Sequence, residues 1–241
     1  MTTKPRRLLE EVRARLGIIA GLIGALWVVQ IVNALLGGAL TQLGVHPRTI
    51  SGLWGILLAP FIHVGFAHLI ANTIPLAVLA ALVSLRRKRD VLFVGLASAL
   101  VGGLGTWLVA PSATVHVGAS ILVFGYLGYL IARGLVERRV LPVLGSLAVL
   151  FLYGGALRGI LPLEAGVSWQ GHLFGLIGGI LAARAMRTPP AQAARPEPRA
   201  RIGAPSPGAT SDESARAEAE ATEEQSEVER ELAEKRRRLR Q

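Results

Sequence analysis

Long continuous runs of apolar residues, separated by short polar or basic segments, occupy the first three quarters of the chain. Six of these runs are long enough, or nearly so, to cross the ~30 Å hydrocarbon core of a bilayer as helices. Their apolar positions are continuous rather than alternating with polar ones, which disfavours strands. The pattern therefore predicts membrane-spanning helices near residues 17–40, 66–85, 91–110, 117–134, 140–157 and 169–185.

The composition agrees with an all-α membrane protein. Hydrophobic residues make up 51% of the chain, and its mean hydropathy is +0.48. The first apolar run, residues 17–40, is longer than the ~7–15-residue core of a cleavable signal peptide, so we expect it to be retained as a span. The chain has no cysteine, which excludes a disulfide framework and a cysteine nucleophile.

The net charge of +10 is a topology signal and does not indicate nucleic acid binding. Residues 1–190 carry 16 basic and 5 acidic side chains, and 14 of the 16 basic ones flank the same side of the predicted spans. Connections with an excess of Lys and Arg stay in the cytoplasm. We therefore predict a multi-pass protein of the inner (plasma) membrane with both termini in the cytoplasm.

Three regions follow from these patterns. Residues 1–16 form a basic cytoplasmic lead, expected to be a short surface helix, and residues 17–187 form the membrane domain. Residues 188–241 form a proline-rich linker followed by a charged helix, which either touches anionic lipid or forms a coiled coil. The connection 41–65 includes a turn and an apolar segment lying in the membrane interface.

Ser120 and His172 are the candidates for chemistry, because polar residues inside hydrocarbon are expensive and default to a functional role. Each lies near the same end of its predicted helix and beside small residues that let two helices pack closely. The imidazole could then take the serine proton. A structural role is the alternative for each, with His172 bonded to a carbonyl and Ser120 bonded to its own helix. The small residues are Gly175, Gly179 and Ala183 beside His172, and Gly125 and Gly128 beside Ser120.

His68 and Asn72 lie one helical turn apart on another span, so their side chains share a face. Both can donate hydrogen bonds without carrying an obligatory charge, which suits a developing oxyanion better than a metal ion. Acidic residues are missing from the predicted spans, which disfavours a proton-coupled transporter. A carboxylate to orient His172 is therefore absent or comes from Glu164 in the last outer loop. We expect neither a metal nor a cofactor.

Three motifs together resemble the rhomboid family of intramembrane serine proteases, over residues 17–185. They are His63-x4-His68-x3-Asn72, Gly118-Ala119-Ser120 and His172-x2-Gly175-x3-Gly179. The resemblance implies a six-helix bundle that cleaves transmembrane segments of other proteins in the bilayer. It implies that Ser120 is the nucleophile and His172 the general base and acid. His68, Asn72 and the Ser120 amide would hold the oxyanion, with Gly118 beside them in the substrate-binding region.

Two positions depart from the family pattern. Ile121 follows Ser120 where relatives carry glycine, and it either wedges two helices apart or crowds the substrate. Trp54 is followed by Gly55, where many relatives carry arginine. An alternative function is therefore a weak or inactive rhomboid-like protein that binds membrane clients without cutting them.

Overall fold

The computed structural model describes residues 3–137, 140–164 and 166–187. Within these ranges all regular structure is helical, and an isolated bridge between Val45 and His116 is the only β-type pairing. The predicted all-α class is thus confirmed for this part of the chain. The linker and charged helix predicted within 188–241 lie outside the described residues.

The described part of the chain contains seven α-helices, joined in places by 3-10 turns. Five of them are long and apolar enough to cross a membrane, counting α6 with the 3-10 turn that follows it. The last helix has 17 residues, at the lower limit for a span, so the count of six spans remains a prediction. The helices are α1 Thr3–Leu35, α2 Gly55–Leu58, α3 Phe66–Ser84, α4 Asp90–Val109, α5 Ser120–Glu137, α6 Val140–Tyr153 and α7 Trp169–Ala185.

The first helix differs from its prediction. The basic lead and the first apolar run form one continuous helix, α1, rather than a surface helix followed by a separate span. Lys, Arg, Glu and Leu all have good helix propensity, so the helix continues where the charges end. It ends at Leu35, and two glycines with positive φ, Gly37 and Gly38, turn the chain into a 3-10 segment.

Helix α5 is the centre of the bundle, with 12 of its 18 residues buried. Helix α7 packs against it so closely that a side chain on Gly179 would overlap the carbonyl oxygen of Gly125. A side chain on Gly128 would likewise overlap the carbonyl oxygen of Leu176. The glycines on both helices therefore bring the two backbones into contact, as their pattern predicted.

Ile121 does not wedge α5 and α7 apart. A Cβ on Gly175 would lie 2.5 Å from the Ile121 carbonyl oxygen, so the helices also touch at this level. The Ile121 side chain is buried and points at α4, where its Cδ1 fills the space that a side chain on Gly102 would need. Because Gly102 of α4 has no side chain, the bundle has room for isoleucine at position 121, where relatives carry glycine.

Close backbone packing also explains the second departure. The segment carrying Trp54 lies directly on the backbone of residues 44–46. A side chain on Gly55 would overlap the Gly44 carbonyl oxygen, and one on Gly52 would overlap that of His46. An arginine at position 55 would therefore not fit this arrangement, while Trp54 itself is 73% exposed.

Charged side chains hold the end of the bundle opposite Ser120. Arg86, after α3, lies 3.2 Å from the carboxylate of Asp90 and 3.7 Å from that of Glu137. Arg133 lies 2.9 Å from Glu137, and Arg86 also donates to the backbone carbonyl of Met186. Since Asp90 begins α4 and Glu137 ends α5, this network ties together the ends of four helices.

Candidate active site

Ser120 is the first residue of α5 and is half-exposed. Among the described residues its hydroxyl has no hydrogen-bond partner, and its backbone N–H has no protein acceptor. The first N–H groups of a helix normally lack intrahelical partners and attract negative charge. Ser120 lines a small cavity of about 20 Å³, together with Gly118, His116, Ser168 and other residues. A hydroxyl and a backbone donor, both without partners among the described residues, thus lie at this small cavity.

His172 lies in the first turn of α7 and is fixed on two sides. Its Nδ1 lies 2.9 Å from the carbonyl oxygen of Gly159, and its ring stacks on Phe124 with centroids 4.1 Å apart and planes 10° from parallel. A carbonyl oxygen only accepts hydrogen bonds, so Nδ1 carries the proton and Nε2 of the neutral ring is left as the base. A backbone carbonyl therefore orients the imidazole, and Glu164 lies exposed in the loop.

Phe124 places His172 relative to Ser120. It follows Ser120 by four residues, so both side chains lie on one face of α5, and the same Phe124 contacts His172. Gly171, next to His172, lines the cavity that Ser120 lines. No hydrogen bond joins Ser120 to His172 among the residues that the structure describes. Phe124 and the shared cavity thus place the start of α5 beside the start of α7.

The structure places the His68 ring against the Gly118 backbone. A Cβ on Gly118 would lie 2.7 Å from Cε1 of His68 and 3.0 Å from its Nε2. Gly118 also has a φ of 125°, a backbone conformation that residues other than glycine rarely adopt. Glycine at this position therefore lets the imidazole reach the backbone two residues before Ser120.

Asn72 has a different environment. It is buried, and its Nδ2 donates to the backbone carbonyl oxygen of His68 at 2.9 Å, within its own helix. One of its two N–H groups is thus occupied, and the second is the donor that remains for a ligand.

His63 has a role that the sequence did not reveal. Its Nε2 accepts a hydrogen bond from the backbone N–H of Ala119 at 3.1 Å, and its ring meets that of His68 edge to face at 5.1 Å. Burial, aided by the nearby charge of His68, lowers the pKa of His63 to about 4, so the ring stays a neutral acceptor. His63, which lies just before α3, therefore fixes the backbone immediately before Ser120.

His116 was not singled out from the sequence. Its Nδ1 lies 2.7 Å from the hydroxyl of Ser168, and its Nε2 lies 2.8 Å from that of Thr114. Ser168 caps α7 by accepting from the N–H of Gly171. Burial lowers the pKa of His116, which favours its neutral form. His116 therefore links the segment before Ser120 to the start of the helix that carries His172, and no local spacing in the sequence indicates this contact.

The comparisons with known proteins agree with this architecture. Residues 51–189, more than half of the chain, match the family model of the Rhomboid domain. The chain belongs to the rhomboid family, and with its apolar helices it is a multi-pass membrane protein.

Several relatives are similar to this chain. An uncharacterized protein of Mycobacterium tuberculosis is 39% identical over 175 residues, covering 69% of this chain and 73% of that protein. One of Mycobacterium leprae is 39% identical over 172 residues, covering 68% of each. Rhomboid protease GluP of Bacillus subtilis is 32% identical over 150 residues, covering 59% of this chain and 28% of that protein.

Proposed function

We propose that this protein is an intramembrane serine endopeptidase that cleaves transmembrane segments of other membrane proteins near their outer ends. Ser120 acts as nucleophile and His172 as general base and acid. One observation carries the proposal: Gly159 and Phe124 fix the imidazole with Nε2 as the base, on the face of α5 that begins with Ser120. Family membership and the similarity to a protein named as a rhomboid protease support it.

The reaction follows from these positions. In the reactive conformation the Ser120 hydroxyl donates to Nε2 of His172, which takes the proton as Oγ attacks the scissile carbonyl carbon. The tetrahedral intermediate collapses to an acyl-enzyme, and the imidazolium gives its proton to the leaving amine. Water then attacks the ester with His172 again as base, which releases the carboxylate product and restores the serine. No metal or cofactor enters these steps.

The oxyanion needs donors on the other side of the carbonyl. The Ser120 backbone N–H has no acceptor among the described residues, and His68 reaches the Gly118 backbone beside it. The second N–H of the Asn72 amide, which does not bond the His68 carbonyl, is a third donor. Such donors typically contribute ~10²–10³ in rate each.

The substrate must unwind before it can react, because helical backbone groups are occupied by their own hydrogen bonds. Gly, Pro and small polar residues near the outer end of a span unwind at least cost. We therefore expect such segments to be cleaved faster than a poly-leucine span.

The distribution of basic residues supports six spans and a plasma-membrane location with both termini in the cytoplasm. In this topology the basic segment 1–16 and residues 188–241 are cytoplasmic, and residues 17–187 form the membrane domain. Arg48→Cys and Glu164→Cys should react with an impermeant thiol reagent in intact cells, whereas Lys88→Cys should not. Equal reaction at all three positions would contradict this topology.

A client-binding protein without protease activity is the second candidate function. The missing Ser120–His172 hydrogen bond and the bond between Asn72 and its own helix favour it. The two candidates differ in a reconstituted assay with a tagged single-span substrate that carries Gly and Pro near its outer end. A protease yields two fragments, which Ser120→Ala abolishes. Cross-linking to intact substrate without fragments, in wild type and variant alike, would instead support client binding.

A further inference from the structure

A second cavity lies at the end of the bundle opposite Ser120. It has a volume of about 690 Å³, is partly open, and is lined by α1, the α3–α4 connection, the start of α4 and the residue after α7. Five basic and two acidic side chains line it, together with Phe93 and Met186. Cavities of this size hold small-molecule ligands and headgroups.

The acidic side chains of this cavity are already engaged. Asp90 pairs with Arg86 at 3.2 Å, and the Tyr129 hydroxyl donates to it at 3.3 Å. Glu11 lies 3.6 Å from Arg15 on the same helix. The cavity therefore offers little negative charge to an incoming cation.

The basic side chains are in excess. Arg87, Lys88 and Arg89 are exposed and form no ion pair with any described residue. Arg15 is held in the wall by hydrogen bonds from its Nη1 to the carbonyl oxygens of Ser84 and Leu85, at 2.9 and 3.2 Å. The sequence indicated only that these basic residues set the membrane topology. In the structure Arg87, Lys88 and Arg89 also line one cavity, where all three can contact the same ligand.

The geometry points to a binding site for a phosphate-bearing anion, best matched by the headgroup of an anionic phospholipid. Guanidinium and ammonium groups are the side chains that recognise phosphate. Phe93 lines the cavity and is 59% exposed, so its ring is available to acyl chains. Leu92 and Leu16, each next in sequence to a lining residue, are 58% and 59% exposed. A free phosphate ion would need only the basic side chains, so this apolar margin favours the lipid.

The test compares two triple variants of the full-length protein that lose the same charge. Arg87→Gln/Lys88→Gln/Arg89→Gln removes side chains that line the cavity. Arg6→Gln/Arg13→Gln/Arg184→Gln removes exposed ones that do not line it. Binding of phosphatidylglycerol and phosphatidylcholine in detergent is measured by native mass spectrometry. Melting temperatures without lipid check that both variants fold.

Wild type and the control variant should bind phosphatidylglycerol more tightly than phosphatidylcholine. The cavity variant should bind phosphatidylglycerol about 100-fold more weakly, since each basic residue near the surface contributes about a factor of five. An equal loss in both variants would show that only net charge matters and would overturn the site. Retained binding in the cavity variant would overturn it as well.

Competition separates the two sources of the anion. Failure of millimolar glycerol phosphate and inorganic phosphate to displace phosphatidylglycerol identifies the lipid as the ligand. If both displace it in wild type but bind the cavity variant poorly, the same site takes the soluble anion.

Discussion

The two ends of this bundle are held by different forces, although the same helices α5 and α7 run through both. At the Ser120 end, helix backbones touch at glycines and four histidines contact backbone or neutral groups: His63, His68, His116 and His172. At the other end, Arg86, Asp90, Arg133 and Glu137 form a network of partly buried ion pairs.

The proposed mechanism gives this difference a chemical reason. A fixed charge beside Ser120 and His172 would favour one protonation state of the dyad and so bias proton transfer. Neutral hydrogen bonds position the groups without that bias. Ion pairs at the far end can stabilise the bundle with no such consequence. Changes at the two ends should therefore separate activity from stability.

The largest effect is expected at the dyad. Ser120→Ala and His172→Ala should each lower kcat by about 10⁴-fold or more, and the double variant should be no worse, because the two residues act as a unit. His172→Ala should also lower stability by about 1–3 kcal/mol, since it loses the Phe124 stack and the Gly159 hydrogen bond. Cleavage kinetics and thermal melting measure the two effects. Cleavage by Ser120→Ala would refute the mechanism.

The proposed oxyanion donors should give the next largest effect on activity. His68→Ala or Asn72→Ala should each slow kcat by about 10²–10³-fold with residual cleavage, because one donor among several is lost. The KM should change little, since the interaction strengthens in the transition state. A rise in KM alone, with kcat unchanged, would assign these residues to substrate binding instead.

At the charged end the expected effect is on stability. Asp90→Asn leaves Arg86 and the Tyr129 hydroxyl with a weaker partner. Loss of one member of a buried pair typically costs about 3–5 kcal/mol. Melting temperature in detergent should fall, while kcat of the folded protein stays at the wild-type value. A kcat loss comparable to that of His68→Ala would show that the two ends are not independent.

The smallest predicted effect is the coupling between Ile121 and Gly102. Ile121→Gly should destabilise through a cavity and Gly102→Ala through overlap with Ile121. The double variant should be more stable than the sum of the single changes predicts, by about 1–2 kcal/mol. A double-mutant cycle of the free energies of unfolding measures this coupling. Strictly additive stability changes, or a gain in stability from Ile121→Gly alone, would instead indicate that Ile121 pushes neighbouring helices apart.

The helices could be predicted from the sequence because continuous apolar runs carry the signal locally. Predicted spans at 66–85 and 91–110 match α3 and α4 to within one residue at each end. The close approach of α5 and α7 could also be predicted from the spacing of the glycines, because residues three or four positions apart lie on one face of a helix. The extent of α1 did not follow, because the charge boundary at residue 16 is not a helix boundary.

The site was predictable only in part, for a physical reason. Ser120, His172 and His68 could be proposed from the sequence because polar groups in apolar runs are costly. The contacts that orient them come from distant segments: Gly159 for His172, Ala119 for His63 and Gly102 for Ile121. These partners are a backbone carbonyl, a backbone amide and a glycine without a side chain. Since every residue has a backbone and glycines are frequent, no sequence pattern indicates these contacts.

The central claim is that His172 activates Ser120, and a fluorophosphonate probe tests it most directly because the probe reacts only with an activated serine hydroxyl. Wild-type protein in lipid should be labelled at Ser120, as identified by peptide mass spectrometry. Ser120→Ala should not be labelled, and His172→Ala should be labelled far more slowly. Failure of folded wild-type protein to react, or equal labelling of wild type and His172→Ala, would contradict the account.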